Sequence, residues 1–486
     1  MRSAALFIIL TLSILFYLQI GSNSMPYEAC LSTCVILSMI SIAICVTGKE
    51  SNAVMKKNWV SVFYLFLFAF MIVHFQKYID ILVLPNMTDT FNVYSNHIDV
   101  LKTAYISLMG LVSMLLGYHM QRTYKTYYYI KPLNQYDSCT RGSFKAVSVL
   151  FFVSVLLFFA INGRLYLSGG YSQEMINSMS GSINAYIVLL VDFMMYAATL
   201  INSIQISKQN HNISFRDYLK SYNLIYYISL FVYLFLVYSS GDRGPIITYM
   251  CAFFFGYLLV SKKKVNIVSI VVLFFVASIA ISVMGVARQD SNRGKTTNAE
   301  YYQTVMAGES VLPLTDELAN SNRTAIWAIE STPAPFPYRK GLYALNNLVS
   351  IVPFSNSILR PLGIDFTYMN RIGHSSAFLD WYSQGDNVTA GVGTSTIADI
   401  YLDFGPIGVI IIMFLLGCLF RKVDYISKTY ETSQISLWWL VVSIVLFSNA
   451  IYMSRSVLLF QLRNIVWLYV VMLLILNINK KITYER

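Results

Sequence analysis

The sequence predicts an all-α polytopic membrane protein with about 12 transmembrane helices and one long, partly helical outer loop. Three observations carry that expectation. Of 486 residues, 56% are hydrophobic and only 12% are Asp, Glu, Lys or Arg, about half the charged fraction of a soluble domain. Mean hydropathy is +0.57, the value of a chain dissolved in lipid rather than folded around one aqueous core. Aromatic residues make up 15%, with 36 Tyr and 31 Phe, as expected where many helix ends sit in membrane interfaces.

Apolar runs of bilayer length then follow in order. They are Ala4–Ile20, Ala29–Val46, Trp59–Phe75, Leu101–Met120, Ala146–Ile161, Ile183–Ile206, Leu224–Tyr238, Pro245–Ser261, Val265–Val286, Ile397–Phe420, Ser436–Met453 and Arg463–Ile478. The chain thus divides into residues 1–287 with nine spans, a connection at 288–394, and residues 395–486 with three spans. With a cytoplasmic N-terminus, alternate connections carry 21 of the 35 Lys and Arg, and eight of the other 14 fall in the one long connection. The positive-inside rule counts short loops only, so both termini are expected in the cytoplasm. The first run follows Arg2 and precedes Gly21 and Ser24, which gives it some signal-peptide character. Its removal would turn every later loop the wrong way by charge, so it reads as a retained helix.

That charge distribution also accounts for the net +11 without nucleic acid as a partner. The six cysteines show no metal-type spacing, and neither a metal nor another cofactor is expected. Walker, HExxH and Gly-x-Ser-x-Gly patterns are absent, which leaves ATPase, metalloprotease and ordinary hydrolase readings without support.

The connection from Arg288 to Thr394 holds six of the eleven prolines and is too long for a plain connector. Within it, Val311–Ser331 and Leu342–Val352 are apolar enough to lie on a membrane or to plug a cavity. The loop and the hairpins beside it gather Arg243, Arg288, Arg293, Lys295, Arg323, Arg339, Lys340, Arg360, Arg371, Arg455 and Arg463. Arginine outnumbers lysine nine to two there. The guanidinium fork binds phosphate oxygens bidentately and keeps its charge, so the set points to an anionic ligand. Snorkelling to lipid head groups is the plainer alternative for any single arginine.

Four short constellations stand out. In Ser239-Ser240-Gly241-Asp242-Arg243-Gly244-Pro245 the glycines and proline make a turn and Asp242 caps the next helix, while Arg243 is left over beside a helix N-terminus. Arg371-Ile372-Gly373-His374-Ser375-Ser376 places the long loop's one histidine near an arginine, with Asp380, Trp381 and Tyr382 following. Imidazole titrates near neutrality and can take a proton from a hydroxyl. Gly391-Val392-Gly393 opens a run in which Asp399 and Asp403 share one helix face, where they can bind sugar hydroxyls, act as bases or pair with loop arginines; the GxG amides can hold an anion. Asp192 sits inside a span, as ion-coupled transporters require.

Three of these stretches resemble the Wzy family of O-antigen and capsular repeat-unit polymerases: Ser239–Pro245; Ala325–Phe354, with Arg339-Lys340-Gly341-Leu342-Tyr343 and Ile351-Val352-Pro353-Phe354; and Gly393–Gly405, with Asp399 where the family pattern has Glu. The resemblance implies a membrane glycosyltransferase of the bacterial cytoplasmic membrane, joining oligosaccharide repeat units carried on undecaprenyl pyrophosphate at its outer face. It implies His374 and Arg371 as catalytic residues, Arg243, Arg288 and Arg455 on the pyrophosphate, and Asp399 and Asp403 toward sugars. Membrane lipids, a chain-length regulator and a flippase are the partners it suggests. An O-antigen ligase, with the same kind of donor, is the nearest alternative. A lipid-linked oligosaccharide flippase or a secondary transporter would instead rest on Asp192 and dispense with His374.

Overall fold

The computed structural model describes residues 2–21, 26–47, 60–84, 92–121, 136, 139–167, 183–209, 213–240, 242, 244–261, 310–355, 358, 373–388, 391–429, 432 and 435–484. Nine helices among these are long and apolar enough to cross a membrane, and two shorter apolar helices join them. In order they are α1 (Arg2–Gln19), α2 (Tyr27–Thr47), α3 (Val62–Val83), α4 (His97–Met120), α5 (Arg141–Leu167) and α6 (Ile183–Gln209). A short α7 (Phe215–Lys220) precedes α8 (Leu224–Ser240) and α9 (Gly244–Ser261). The long loop contributes α10 (Asp316–Ala319), α11 (Asn322–Ser331), α12 (Leu342–Val349) and α13 (Ser375–Gln384). The chain closes with α14 (Thr396–Thr429), α15 (Leu437–Met453) and α16 (Phe460–Tyr484). Eleven expected spans are therefore present as helices, and the twelfth, Val265–Val286, lies outside the described residues.

The bundle is organised around α4, which is buried along almost its whole length. Helices α1, α2 and α14 wrap it, α5, α6, α8, α9 and α16 form a second group, and α3 with α15 tie the two together. Two glycines let α14 approach α4 closely. A β-carbon on Gly117 would stand 2.0 Å from the Phe414 carbonyl oxygen, and one on Gly417 would stand 2.1 Å from that of Met114. Only hydrogen fits at both crossings.

Two span ends lie furthest from the hydropathy expectation. The third span was expected to stop at Phe75, before Gln76 and Lys77, yet α3 continues to Val83. The loop satisfies the polar turn: Lys77 Nζ pairs with Asp316 at 2.5 Å, Ser310 Oγ donates to Asp80 at 2.9 Å, and Thr315 Oγ1 donates to Gln76 Oε1 at 2.6 Å. The helix ends where Leu84 precedes Pro85 and turns extended. The tenth span, expected to end at Phe420, runs to Thr429 and is broken inside. Gly405 adopts φ 65°, ψ −164°, with Pro406 next. Pro406 lacks the N–H that would bond Leu402, and the turn at Gly405 releases the Asp403 carbonyl. Those two oxygens accept instead from the amides of Arg339 (2.9 Å) and Lys340 (2.8 Å). The loop's own helices are thereby fixed to the bundle. Helix α11 is largely buried against α3, α4 and α14, and so plugs the bundle, whereas α12 leaves Leu345 and Leu348 exposed at its surface.

Candidate active site

Of the residues expected to carry chemistry, His374, Asp399, Asp403 and Arg455 lie at the loop end, where the first turns of α6, α14 and α16 meet α12 and α13. His374 is the N-cap of α13, its backbone extended at φ −136°, ψ 139°, and its carbonyl accepts from Phe378 N at 3.0 Å. Asn346, on the polar side of α12, donates from Nδ2 to Gly373 O at 2.6 Å; the same nitrogen lies 3.1 Å from His374 Nε2. The imidazole is thus held from two neighbouring contacts on one amide. Burial and the positive charge of Arg463 keep its pKa below the usual 6.5, so the ring is neutral near pH 7.

Arg463 lies in the first turn of α16, its guanidinium carbon 4.7 Å from the Phe460 ring centroid. Its Nε is buried and has no hydrogen-bond partner among the described residues. A buried, unsatisfied guanidinium nitrogen is costly, and it is the kind of group a bound anion completes. Tyr186 and Asp192 of α6 are its electrostatic counterweights, and Tyr249 of α9 donates to Asp192 Oδ1 at 2.6 Å. Below this level the loop is stitched between α6 and α16. Trp467 Nε1 donates to Ile351 O at 2.7 Å, and Phe354 N donates to the Tyr186 hydroxyl at 2.8 Å.

Asp399 and Asp403, expected to face sugars, direct their oxygens into the protein. Asp399 accepts from Ser375 Oγ at 2.5 Å and from Leu458 N at 3.1 Å. One carboxylate therefore holds both the residue after His374 and the turn between α15 and α16. Asp403 accepts from Tyr343 N (3.1 Å) and Ala344 N (2.9 Å), the free amides at the start of α12. The GxG amides do bind an anion, but it is internal: Asp380 Oδ1 accepts from Val392 N at 2.6 Å and from Gly393 N at 3.3 Å. Asp242 caps α9 as expected, accepting from Gly244 N at 3.0 Å.

Arg455 sits half-buried in the α15–α16 turn, next to Ser454, whose carbonyl accepts from Thr396 N at 3.1 Å. Arg243, Arg288 and Arg371 lie outside the described residues. The structure thus groups His374, Asp399 and the Arg455 turn around the start of α14, and places Asp403 one turn further along. Two members of the group were not singled out from the sequence. Arg463 stood undistinguished among nine arginines, though it alone opens a span. Asn346-Asn347, an amide pair in an otherwise apolar helix, is the signal that marks the partner of His374.

The profile of the family described as O-antigen polysaccharide polymerase Wzy matches residues 3–486. No curated protein and no solved structure matches the chain. The match spans nearly every helix described above, including the segments that build the His374 site, and the chain therefore belongs to the O-antigen polysaccharide polymerase Wzy family.

Proposed function

We propose that this protein polymerises oligosaccharide repeat units held on undecaprenyl pyrophosphate, at the outer face of the bacterial cytoplasmic membrane. The observation that carries the proposal is the pairing of a neutral, positioned imidazole with a buried guanidinium nitrogen that has no hydrogen-bond partner among the described residues. Glycosyl transfer from a pyrophosphate requires both. His374 takes the proton from the acceptor sugar hydroxyl as its oxygen attacks the anomeric carbon of the donor glycan. The bond from that carbon to the pyrophosphate oxygen breaks, and undecaprenyl pyrophosphate leaves with the electron pair. Arg463 stabilises the charge developing on it, in a setting where fixed cations need no reorganisation.

Arg371, Arg243 and Arg288 are assigned to the same pyrophosphates on the strength of their sequence positions, with Arg455 at the edge of the cluster. Asp399 and Asp403 act in this scheme as positioning residues, holding His374 and α12 rather than reaching sugar. The surplus of Lys and Arg in alternate connections supports the orientation, with both termini in the cytoplasm.

The test is the surface polysaccharide of a deletion strain complemented with wild-type protein, His374→Ala or Arg463→Ala. Wild type is expected to restore a ladder of chain lengths, and either variant to leave single repeat units at normal membrane abundance. A ladder in the uncomplemented deletion strain would remove the polymerase reading, and full restoration by His374→Ala would remove the proposed base.

A further inference from the structure

The constellation after His374 contains residues that the transfer chemistry does not use. Trp381 and Tyr382 lie two turns along α13, where both are half-buried, while Phe378 behind them is fully enclosed. Phe336 closes the cluster from the loop between α11 and α12. Its ring centroid is 5.5 Å from that of Phe378, 5.7 Å from that of Trp381 and 6.4 Å from that of Tyr382. Phe378 and Tyr382 stack at 6.1 Å. The outer rings are therefore locked by the inner ones, and little side-chain entropy remains for a ligand to remove.

Polar groups border these rings. Trp381 Nε1 donates to Asp386 Oδ1 at 3.2 Å, and the Tyr382 hydroxyl stands beside the Glu330 carboxylate. Glu330 is exposed at the end of α11 and stands in the field of Asp99, near the start of α4. Flat apolar faces edged by carboxylates match a sugar ring, which offers a face of C–H groups and a rim of hydroxyl donors. Arg339 joins them, its guanidinium carbon 5.4 Å from the Phe378 ring centroid, so the cluster offers hydroxyl acceptors and a donor beside its flat rings.

We propose that Trp381 and Tyr382, with Glu330 at their edge, form a glycan-binding platform that holds the oligosaccharide portion of a lipid-linked unit. This inference rests on the polymerase reading and adds a substrate subsite to it. Its position follows from helix geometry. Trp381 is seven residues beyond His374, and at 1.5 Å per residue the platform begins about 10 Å from the imidazole's backbone. A short oligosaccharide bridges that interval, so one end lies on the rings while a terminal hydroxyl approaches His374. Because α13 is one continuous helix between them, the spacing is rigid.

The test titrates free repeat-unit oligosaccharide, released from its lipid by mild acid, against the full-length protein in detergent micelles. Wild type is expected to bind, and Trp381→Ala to bind at least about tenfold more weakly. Trp381→Phe keeps a flat ring and is expected to recover most of the affinity, which a purely structural role would not produce selectively. Tyr382→Phe, which keeps its ring but loses the hydroxyl beside Glu330, is expected to show a smaller loss. Equal affinity of wild type and Trp381→Ala, or no binding by wild type, would overturn the platform. His374→Ala serves to separate the two ideas: it is expected to abolish polymerisation yet bind the free oligosaccharide as wild type does. Lost binding in His374→Ala with normal binding in Trp381→Ala would relocate the glycan to the transfer site and contradict the platform.

Discussion

At the scale of the residue, the histidine and arginine act on one another. Arg463 opposes a second positive charge nearby and, with burial, holds the His374 pKa below 6.5. A base must be neutral to accept a proton, so transfer is expected to fall as pH drops through a value below 6.5. Arg463→Met removes the repulsion; the residual activity should then decline at a higher pH than in wild type. Transfer rates measured across pH in proteoliposomes check this, and an unmoved acid limb would show that the two groups do not communicate. Asp399 is the second residue-scale prediction. Asp399→Ala leaves Ser375 Oγ and Leu458 N without their acceptor, which should cost about 2–3 kcal/mol and lower activity while His374 itself is untouched. Thermal unfolding in detergent, read beside the transfer rate, measures both effects. His374 was legible in the sequence as the long loop's one histidine. The internal use of Asp399 and Asp403 was not, because their partners lie 24 and 59 residues away for Asp399 and about 60 for Asp403.

At the scale of the element, the break in α14 decides how the loop is held. Gly405 turns the chain at a positive φ, and a β-carbon there would meet the Tyr338 ring at 2.9 Å. Gly405→Ala should therefore strain the turn by about 1–2 kcal/mol and loosen the Arg339 and Lys340 amides from the Leu402 and Asp403 carbonyls. The expected readout is faster proteolysis of the loop near Arg339 in intact membranes, with insertion unchanged. Hydropathy found this span because it averages over a window, and it could not register a single left-handed residue followed by proline. The same averaging ended α3 at Gln76. There the helix continues because Asp316, Ser310 and Thr315 of the loop supply the polar partners that lipid lacks.

At the scale of the molecule, the bundle is a frame around α4 that carries the proposed transfer site at one end. Gly117 and Gly417 set the approach of α14 to α4, and Gly417→Val, which drives side-chain atoms into the Met114 carbonyl, should cost about 2–3 kcal/mol. Loss of the folded detergent-solubilised protein on heating, at a lower temperature than wild type, is the expected result. Eleven of the spans were readable from apolar run length alone, since the bilayer imposes that length on any chain. The assembly of the site was not readable, because it depends on loop segments that fold back onto α6, α14 and α16 through contacts scattered over much of the chain. Those contacts bring a neutral imidazole together with a guanidinium whose Nε has no partner among the described residues, and that juxtaposition is the central claim. Its most direct test is polymer formation from purified lipid-linked repeat units by wild-type protein, His374→Ala and Arg463→Ala reconstituted in liposomes. The account predicts long glycans from wild type and almost wholly unreacted substrate from both variants at equal protein incorporation; polymer of normal length and rate from either variant would contradict it.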